Sequence, residues 1–114
     1  MRVTSELWVA ALLRRVFSDG GFAAVERKGA PEAGAIFVVR RTRLGEFELY
    51  GPAPQTSYDE SRPFDRQFTR VLVTIEEEAV KGRLEREMRF DSDVWIVELD
   101  IDAEADRYLE IAKD

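Results

Sequence analysis

The chain has 114 residues, 45% of them hydrophobic and 35% charged, which is typical of one globular domain with its own core. Cysteine and histidine are both absent, so disulfides, Cys/His zinc sites, thiol nucleophiles and histidine-dependent triads are excluded. The formal net charge of −6 argues against a general nucleic-acid-coating protein, because such a protein needs a basic surface to bind phosphates.

The first predicted element is a helix that begins at Thr4 or Ser5, either of which can serve as its N-cap, and runs to about Ser18. Gly20 and Gly21 follow and end it. At about 100° per residue the main apolar side chains share one broad arc, wide enough to pack on a sheet. The residues of this arc are Val9, Leu12, Leu13, Val16 and Phe17.

Three further apolar residues of this helix lie outside the arc. Trp8 flanks it, whereas Leu7 and Ala11 fall on the otherwise polar side. Such residues are either partly buried under a loop or the C-terminal tail, or they form a contact between two copies of the chain. Leu7, Trp8 and Ala11 are therefore the candidate interface.

Strands are predicted at 22–28, 35–43, 47–50 and 67–73. The prediction is firmest for 35–43, where Ile36, Phe37, Val38 and Val39 all favour β-structure. The segment 35–43 is continuously apolar at first, as in a central strand buried on both faces. It then gives way to three arginines that we expect in solvent, Arg40, Arg41 and Arg43. The turn Leu44-Gly45-Glu46 joins this strand to the next as a β-hairpin.

The segment 51–65 contains three of the four prolines and little periodicity, so we predict a long loop. Loops of this length inside a compact domain are uncommon and usually either functional or mobile. A structural alternative is a wrap in which Tyr58 and Phe64 pack on the sheet, because aromatic residues often anchor loops.

The second half of the chain begins with Thr74-Ile75-Glu76-Glu77, which has the form of a capping box and predicts the start of a second helix. Its narrow apolar stripe is Val80, Leu84 and Met88. A strand follows at 94–99, with Trp95, Val97 and Leu99 on one face. A last short helix is predicted near 103–112.

The predicted order is α-β-β-β-β-α-β-α. Strands that follow one another in hairpins favour an α+β fold, with a largely antiparallel sheet of about five strands and one or two helices on one face. We expect residues 1–100 to form the single domain, and 101–114 to be an acidic tail whose short helix is loosely attached.

The acidic run from Asp100 to Asp106 has the alternating carboxylates of a calcium loop. However, Ala105 stands where that loop needs glycine and Ile111 where it needs glutamate, so we predict no metal site. No phosphate-binding glycine loop is present, and no residue pair indicates catalysis. We therefore expect no cofactor and favour a protein that is not an enzyme.

The candidate binding residues lie near the long loop and the arginine-rich strand end, where polar and aromatic groups could hold an anion. They are Arg41, Arg43, Tyr50, Gln55, Tyr58 and Arg62. The alternative for the arginines is a solvated strand end that blocks edge pairing.

The chain also contains a set of short motifs that are distinctive in combination: Thr4-Ser5-Glu6-Leu7-Trp8-Val9, Arg14-Arg15, Gly20-Gly21-Phe22-Ala23, Gly34-Ala35-Ile36-Phe37-Val38, Leu49-Tyr50-Gly51-Pro52-Ala53-Pro54-Gln55 and Phe90-Asp91-x-Asp93-x-Trp95. Together they resemble a family of short, uncharacterised bacterial proteins catalogued only as a domain of unknown function. The resemblance covers about residues 3–100 and leaves the acidic tail outside. It implies a stand-alone bacterial cytoplasmic domain and supplies no activity, cofactor or catalytic residue.

Two hypotheses about function follow. The first is a non-catalytic binding or protein-interaction domain that pairs with a protein partner or with itself as a homodimer. The alternative is a domain, or a weakly marked enzyme, that binds an anionic small molecule at an arginine-lined site beside the 51–65 loop. Nucleic-acid binding ranks third because of the negative charge. No apolar run approaches the roughly 20 residues that span a bilayer, so we expect no membrane association and a cytoplasmic protein.

Overall fold

The computed structural model describes residues 3–54 and 66–112. Its elements in chain order are α1 (Ser5–Ser18), β1 (Phe22–Arg27), β2 (Ile36–Arg41), β3 (Phe47–Pro52), β4 (Gln67–Thr74), α2 (Glu77–Phe90), β5 (Trp95–Asp100), a one-turn 3-10 helix (Ala105–Arg107) and β6 (Glu110–Ile111). The predicted α+β class and the order of the first seven elements are confirmed. Neither helix of the described segments is long and apolar enough to cross a bilayer.

The described strands form one mixed sheet of six strands, in the order β1-β5-β2-β3-β4-β6. β5 enters the sheet between β1 and β2, antiparallel to β1 and parallel to β2. β6 lies parallel to β4, whereas β2, β3 and β4 form an antiparallel meander. The prediction of a largely antiparallel sheet is therefore corrected. The physical reason is that the chain returns to the sheet through helix α2 before β5 begins. This connection is long enough to allow β5 to pair parallel with β2.

The two helices cover opposite faces of the sheet, so of the predicted one or two helices on one face, each face has one. Along β2, Ile36 and Val38 are buried on the α1 side, whereas Phe37 and Val39 are buried on the α2 side. Successive side chains of a strand point to opposite faces, so a continuously apolar strand needs a cover on each. The prediction that this strand is central and buried on both faces is confirmed.

Helix α1 begins and ends as predicted. The Leu7 amide donates to the Thr4 hydroxyl oxygen (3.3 Å), which makes Thr4 the N-cap. Gly20 adopts a φ of +84°, which favours glycine, and its amide donates to the Phe17 carbonyl (3.1 Å). Of the predicted apolar arc, Val9, Leu12 and Val16 are buried, Leu13 is half-buried and Phe17 is exposed.

Helix α2 begins later than predicted because Thr74 is still part of β4. The Thr74 hydroxyl oxygen accepts the Glu76 amide (3.0 Å) in the turn before the helix, and Glu76 is the N-cap without a side-chain bond. The predicted capping box is therefore wrong. The predicted apolar stripe is confirmed, since Val80 and Leu84 are buried and Met88 packs against the same cluster.

The C-terminal segment is neither one helix nor loosely packed. After the 3-10 turn, β6 pairs with β4, and the Ala112 amide donates to the Phe68 carbonyl (2.8 Å). Tyr108 and Leu109 are buried in the core on the α1 side. The Tyr108 hydroxyl donates to Asp19 (2.7 Å) at the end of α1. The few apolar residues that indicated a weak helix therefore bury against distant elements instead.

Arg40 is buried, with only 4% of its surface exposed, which corrects the expectation that it emerges into solvent. Its guanidinium lies 3.1 Å from the carboxylate of Glu48 on the neighbouring strand. Its Nε donates to the carbonyl of Ala103 (2.8 Å), in the segment that follows β5. The same carboxylate accepts the Tyr50 hydroxyl (2.9 Å). Arg40 thus ties β2 and β3 to the C-terminal segment.

Replacing Arg40 with Met should lower the free energy of unfolding by about 3–5 kcal/mol, because the buried Glu48 carboxylate loses its cation. Urea denaturation followed by tryptophan fluorescence measures the change. The matched control is Arg43→Met, since that side chain is 79% exposed and its substitution should cost no more than about 0.5 kcal/mol. Equal stability of the two variants would contradict the assigned role of Arg40.

Candidate functional site

The described members of the predicted arginine-lined site lie on different surfaces. Arg41 is on the α2 side, where it pairs with Glu77 (3.2 Å) on α2. Arg43 lies beyond the strand, 3.6 Å from Asp102. Tyr50 belongs to the core on the α1 side. Arg41 and Tyr50 therefore cannot contribute to one site.

The other three candidate binding residues, Gln55, Tyr58 and Arg62, lie outside the described residues, as does most of the predicted 51–65 loop. Their role stays a prediction. The acidic run is dispersed, since Asp102 faces Arg43 and Glu104 lies 4.0 Å from Arg40. Within residues 3–54 and 66–112, no three acidic side chains lie close enough to hold a metal ion.

Tyr50 lies beside a polar cavity of about 450 Å³, which Arg70, Glu104 and Asp106 also line. Burial, together with the hydrogen bond to the Glu48 carboxylate, raises the pKa of Tyr50 to about 12. The phenol is therefore neutral at physiological pH. It acts as a fixed hydrogen-bond donor to Glu48.

The predicted interface on α1 is only partly available. Trp8 is half-buried, and its ring stacks at a tilt against Phe68 of β4 with a centroid distance of 5.3 Å. Leu7 and Ala11 are exposed on the outer side of the helix. The structural alternative for Trp8, packing on the domain itself, therefore accounts for one of the three residues.

A second apolar surface, which the sequence pattern did not indicate, lies at the edge of the sheet. β1 is the terminal strand, and among the described strands only β5 pairs with it. Phe17, Phe22 and Val25 are exposed beside this edge, by 51%, 54% and 38%. The rings of Phe17 and Phe22 meet edge to face at 5.9 Å. We refer to β1 and these three side chains as the β1 edge.

A groove of about 490 Å³ lies along α2 on the other face of the sheet. We refer to it as the α2 groove, and its principal residues are Glu26, Val39, Arg41, Leu84, Ile96 and Glu98. It exists because α2 packs mainly over β3 and β4, so that β1 and β5 are less covered on this face.

Two carboxyl groups meet at the wall of the α2 groove. Glu98 on β5 is half-buried, and Glu26 on the neighbouring strand β1 lines the same wall. Burial and hydrogen bonding with Glu26 raise the pKa of the Glu98 carboxyl, while Arg41, 3.7 Å away, partly opposes the rise. No sequence signal could have found this pair, because the residues are far apart in the chain.

Comparisons with known proteins place the chain among proteins whose function is not known. Residues 3–109 match the family described as Protein of unknown function (DUF1491). This match extends beyond the expected limit near residue 100 and takes in the buried Leu109. No curated protein matches the chain.

Three solved structures are similar to the chain over nearly its whole length. A protein from A. tumefaciens, determined in solution, is 48% identical, with a TM-score of 0.83 and coverage of 100% of this chain and 98% of that one. A crystal structure of a DUF1491 family protein from Caulobacter crescentus is 30% identical, with a TM-score of 0.79 and coverage of 99% and 100%. An NMR structure of a DUF1491 family protein from the same organism has 30% identity, a TM-score of 0.76 and coverage of 99% of both chains.

The raised pKa of Glu98 predicts a pH dependence of stability. The folded state binds this proton more tightly than the unfolded state, so the free energy of unfolding falls as pH rises from the ordinary range of a carboxyl through the raised pKa. In Glu98→Gln the side chain cannot ionise, so this decrease in the free energy of unfolding with rising pH is absent. The stability of the variant relative to the wild type should therefore increase from acid to neutral pH, measured by urea denaturation across that range.

The matched control for this measurement is Glu46→Gln, in the exposed turn between β2 and β3. Its stability relative to the wild type should show no such increase. If the stability of Glu98→Gln relative to the wild type also stayed constant across the pH range, the surroundings of Glu98 would not perturb its carboxyl.

Proposed function

The chain belongs to the DUF1491 family of proteins of unknown function, and we propose that it is a non-catalytic interaction domain that pairs with a second copy of itself through the β1 edge. The observation that carries the proposal is the six-residue terminal strand. Its outer backbone groups have no partner strand among the described residues, and exposed aromatic rings lie beside them.

The two ends of the sheet are protected to different extents. β6 is only two residues long, and a short edge strand has few unpaired backbone groups with which a partner strand could form hydrogen bonds. β1 is six residues long, and its first four residues, Phe22 to Val25, carry neither charge nor proline. Charges and a register irregularity occur only at its far end, near Glu26 and Arg27. A strand edge of this kind is a template for pairing with another chain.

The exposed apolar side chains favour the same surface. Phe17, Phe22 and Val25 are all more than a third exposed, and two of them are already in contact with each other. Exposed apolar groups of this kind commonly mark protein interaction sites. A strand added beside β1 would satisfy its backbone groups and pack its own side chains next to these residues.

Self-complementarity favours a second copy as the partner. Two-fold symmetry is the commonest symmetry of homodimers. A two-fold axis normal to the sheet places the β1 strands of two copies side by side and antiparallel. The basic end of each strand, Arg27 and Lys28, then lies beside the end that carries Phe22 and Asp19 in the other copy. A cation–π contact between the basic end of one copy and the exposed Phe22 ring of the other supports that arrangement.

The non-catalytic part of the proposal rests on composition, since the chain has no cysteine or histidine with which to build a common nucleophile or base. The anionic-ligand alternative has less support, because Arg41 is occupied by Glu77 and Glu98, and Tyr50 is on the opposite face.

The wild-type protein should self-associate at high micromolar concentration, as measured by sedimentation equilibrium. Val25→Lys places two positive charges at the paired edges and should weaken association at least about tenfold, equivalent to about 1.4 kcal/mol. The matched control is Val73→Lys on the internal strand β4, where the side chain is 45% exposed. This variant should associate like the wild type.

A third variant, Leu7→Lys, distinguishes the β1 edge from the outer side of α1. It should leave association unchanged. A strictly monomeric wild type would overturn the homodimer. If Leu7→Lys prevented association and Val25→Lys did not, the interface would be the one on α1.

A further inference from the structure

The α2 groove combines an apolar floor with a charged wall. Val39, Leu84 and Ile96 are buried side chains of the same core cluster, and Met88 packs against them. Their exposed parts form the bottom of a groove of about 490 Å³. Small-molecule sites usually have volumes of about 300–1,000 Å³, with an apolar lining and a few polar groups. The groove therefore has the size and lining of a ligand site.

The wall of the groove has an excess of negative charge. Four glutamates line it, together with Arg41 and Lys81. Arg41 is already held by Glu77 at 3.2 Å and by Glu98 at 3.7 Å. Lys81 lies 4.0 Å from Glu78, which is outside the lining. Within the described part of the chain, Glu26 and Glu85 have no ion pair, so the net electrostatic preference is for a cation.

Glu26 and Glu98 mark the position where a cation would bind. Both side chains line the same wall of the groove, and two neighbouring carboxylates repel each other unless a cation lies between them. A cationic ligand group placed there would gain two charge-assisted hydrogen bonds beside an apolar floor.

We infer that the α2 groove binds a small organic cation, with its ammonium or guanidinium group held between Glu26 and Glu98 and its hydrocarbon body on Val39, Leu84 and Ile96. A bare metal ion would leave the apolar floor unused. An anion would face the carboxylates, with its nearest cation, Arg41, already paired. This inference does not depend on self-association through the β1 edge.

Binding of this kind has a characteristic pH dependence. The amine stays protonated across the acid-to-neutral range. The Glu98 carboxyl must be ionised to hold the cation, and its raised pKa places that ionisation above the ordinary carboxyl range. Affinity should therefore rise with pH through the raised pKa of Glu98. Binding just below that pKa should release a proton, which calorimetry in two buffers of different ionisation enthalpy detects.

The test is a titration at neutral pH with n-hexylamine and phenethylamine as cationic probes. The neutral and anionic controls are 1-hexanol and hexanoate. Methyl resonances of Met88 and Ile96 report whether binding occurs in the groove. Both amines should shift these resonances and bind at least tenfold more tightly than either control.

Glu98→Gln and Glu26→Gln should each weaken amine binding at least tenfold, whereas Glu46→Gln should leave it unchanged. Because Glu26 is exposed, its variant tests the site even if substitution of Glu98 disturbs the fold. The inference is overturned if neither amine binds, if hexanol binds as tightly as hexylamine, or if hexanoate binds more tightly. Unchanged amine binding in both glutamine variants would also overturn it.

Discussion

The architecture depends on the double-sided burial of β2. A strand that is apolar on both faces is stable only when each face is covered, and the two covers come from different parts of the chain. α1 supplies the first cover, with Val9, Leu12 and Val16, and α2 supplies the second, with Val80 and Leu84. The parallel pairing of β5 with β2 completes the centre of the sheet, because β5 is itself buried on both faces.

The cover on the α1 side is completed by the C-terminal segment, and Arg40 holds that segment in place. The guanidinium neutralises the buried Glu48 and donates to the Ala103 carbonyl, so one side chain links two strands to a stretch more than sixty residues away. A second contact, from Tyr108 to Asp19, fastens the same segment to the end of α1. These polar contacts position Leu109 in the core. The extent of the family match, to residue 109, agrees with a segment that belongs to the domain.

Both surfaces to which we assign a function lie at the β1–β5 end of the sheet. The reason is geometric, because α2 packs mainly on β3 and β4 and leaves this end of the sheet less covered. At the opposite edge, the two-residue strand β6 pairs with β4. The less covered half of one face becomes the α2 groove, and the unpaired outer strand becomes the β1 edge. Glu26 lines the groove from within β1, so the two surfaces are neighbours on one strand while using different atoms, the backbone edge and a side chain.

The sequence by itself determined the features that depend on neighbours a few residues apart. These are the start of α1 at Thr4 or Ser5 and its Gly20 stop, the β2–β3 hairpin, the apolar stripe of α2, the central position of β2 and the α+β class. The resemblance also pointed correctly to a family of unknown function. Such features are accessible because helix periodicity, capping and tight turns are local.

Only the tertiary structure decided which distant groups meet. The insertion of β5 between β1 and β2, the burial of Arg40 and the placement of Glu26 and Glu98 in one groove join residues that no local pattern relates. The same reason explains the errors near the C-terminus and at Thr74, where pairing with a neighbouring strand outweighed local helix signals. Long-range strand pairing and the burial of charged side chains depend on which distant segments lie next to each other, and only the folded molecule determines those neighbours.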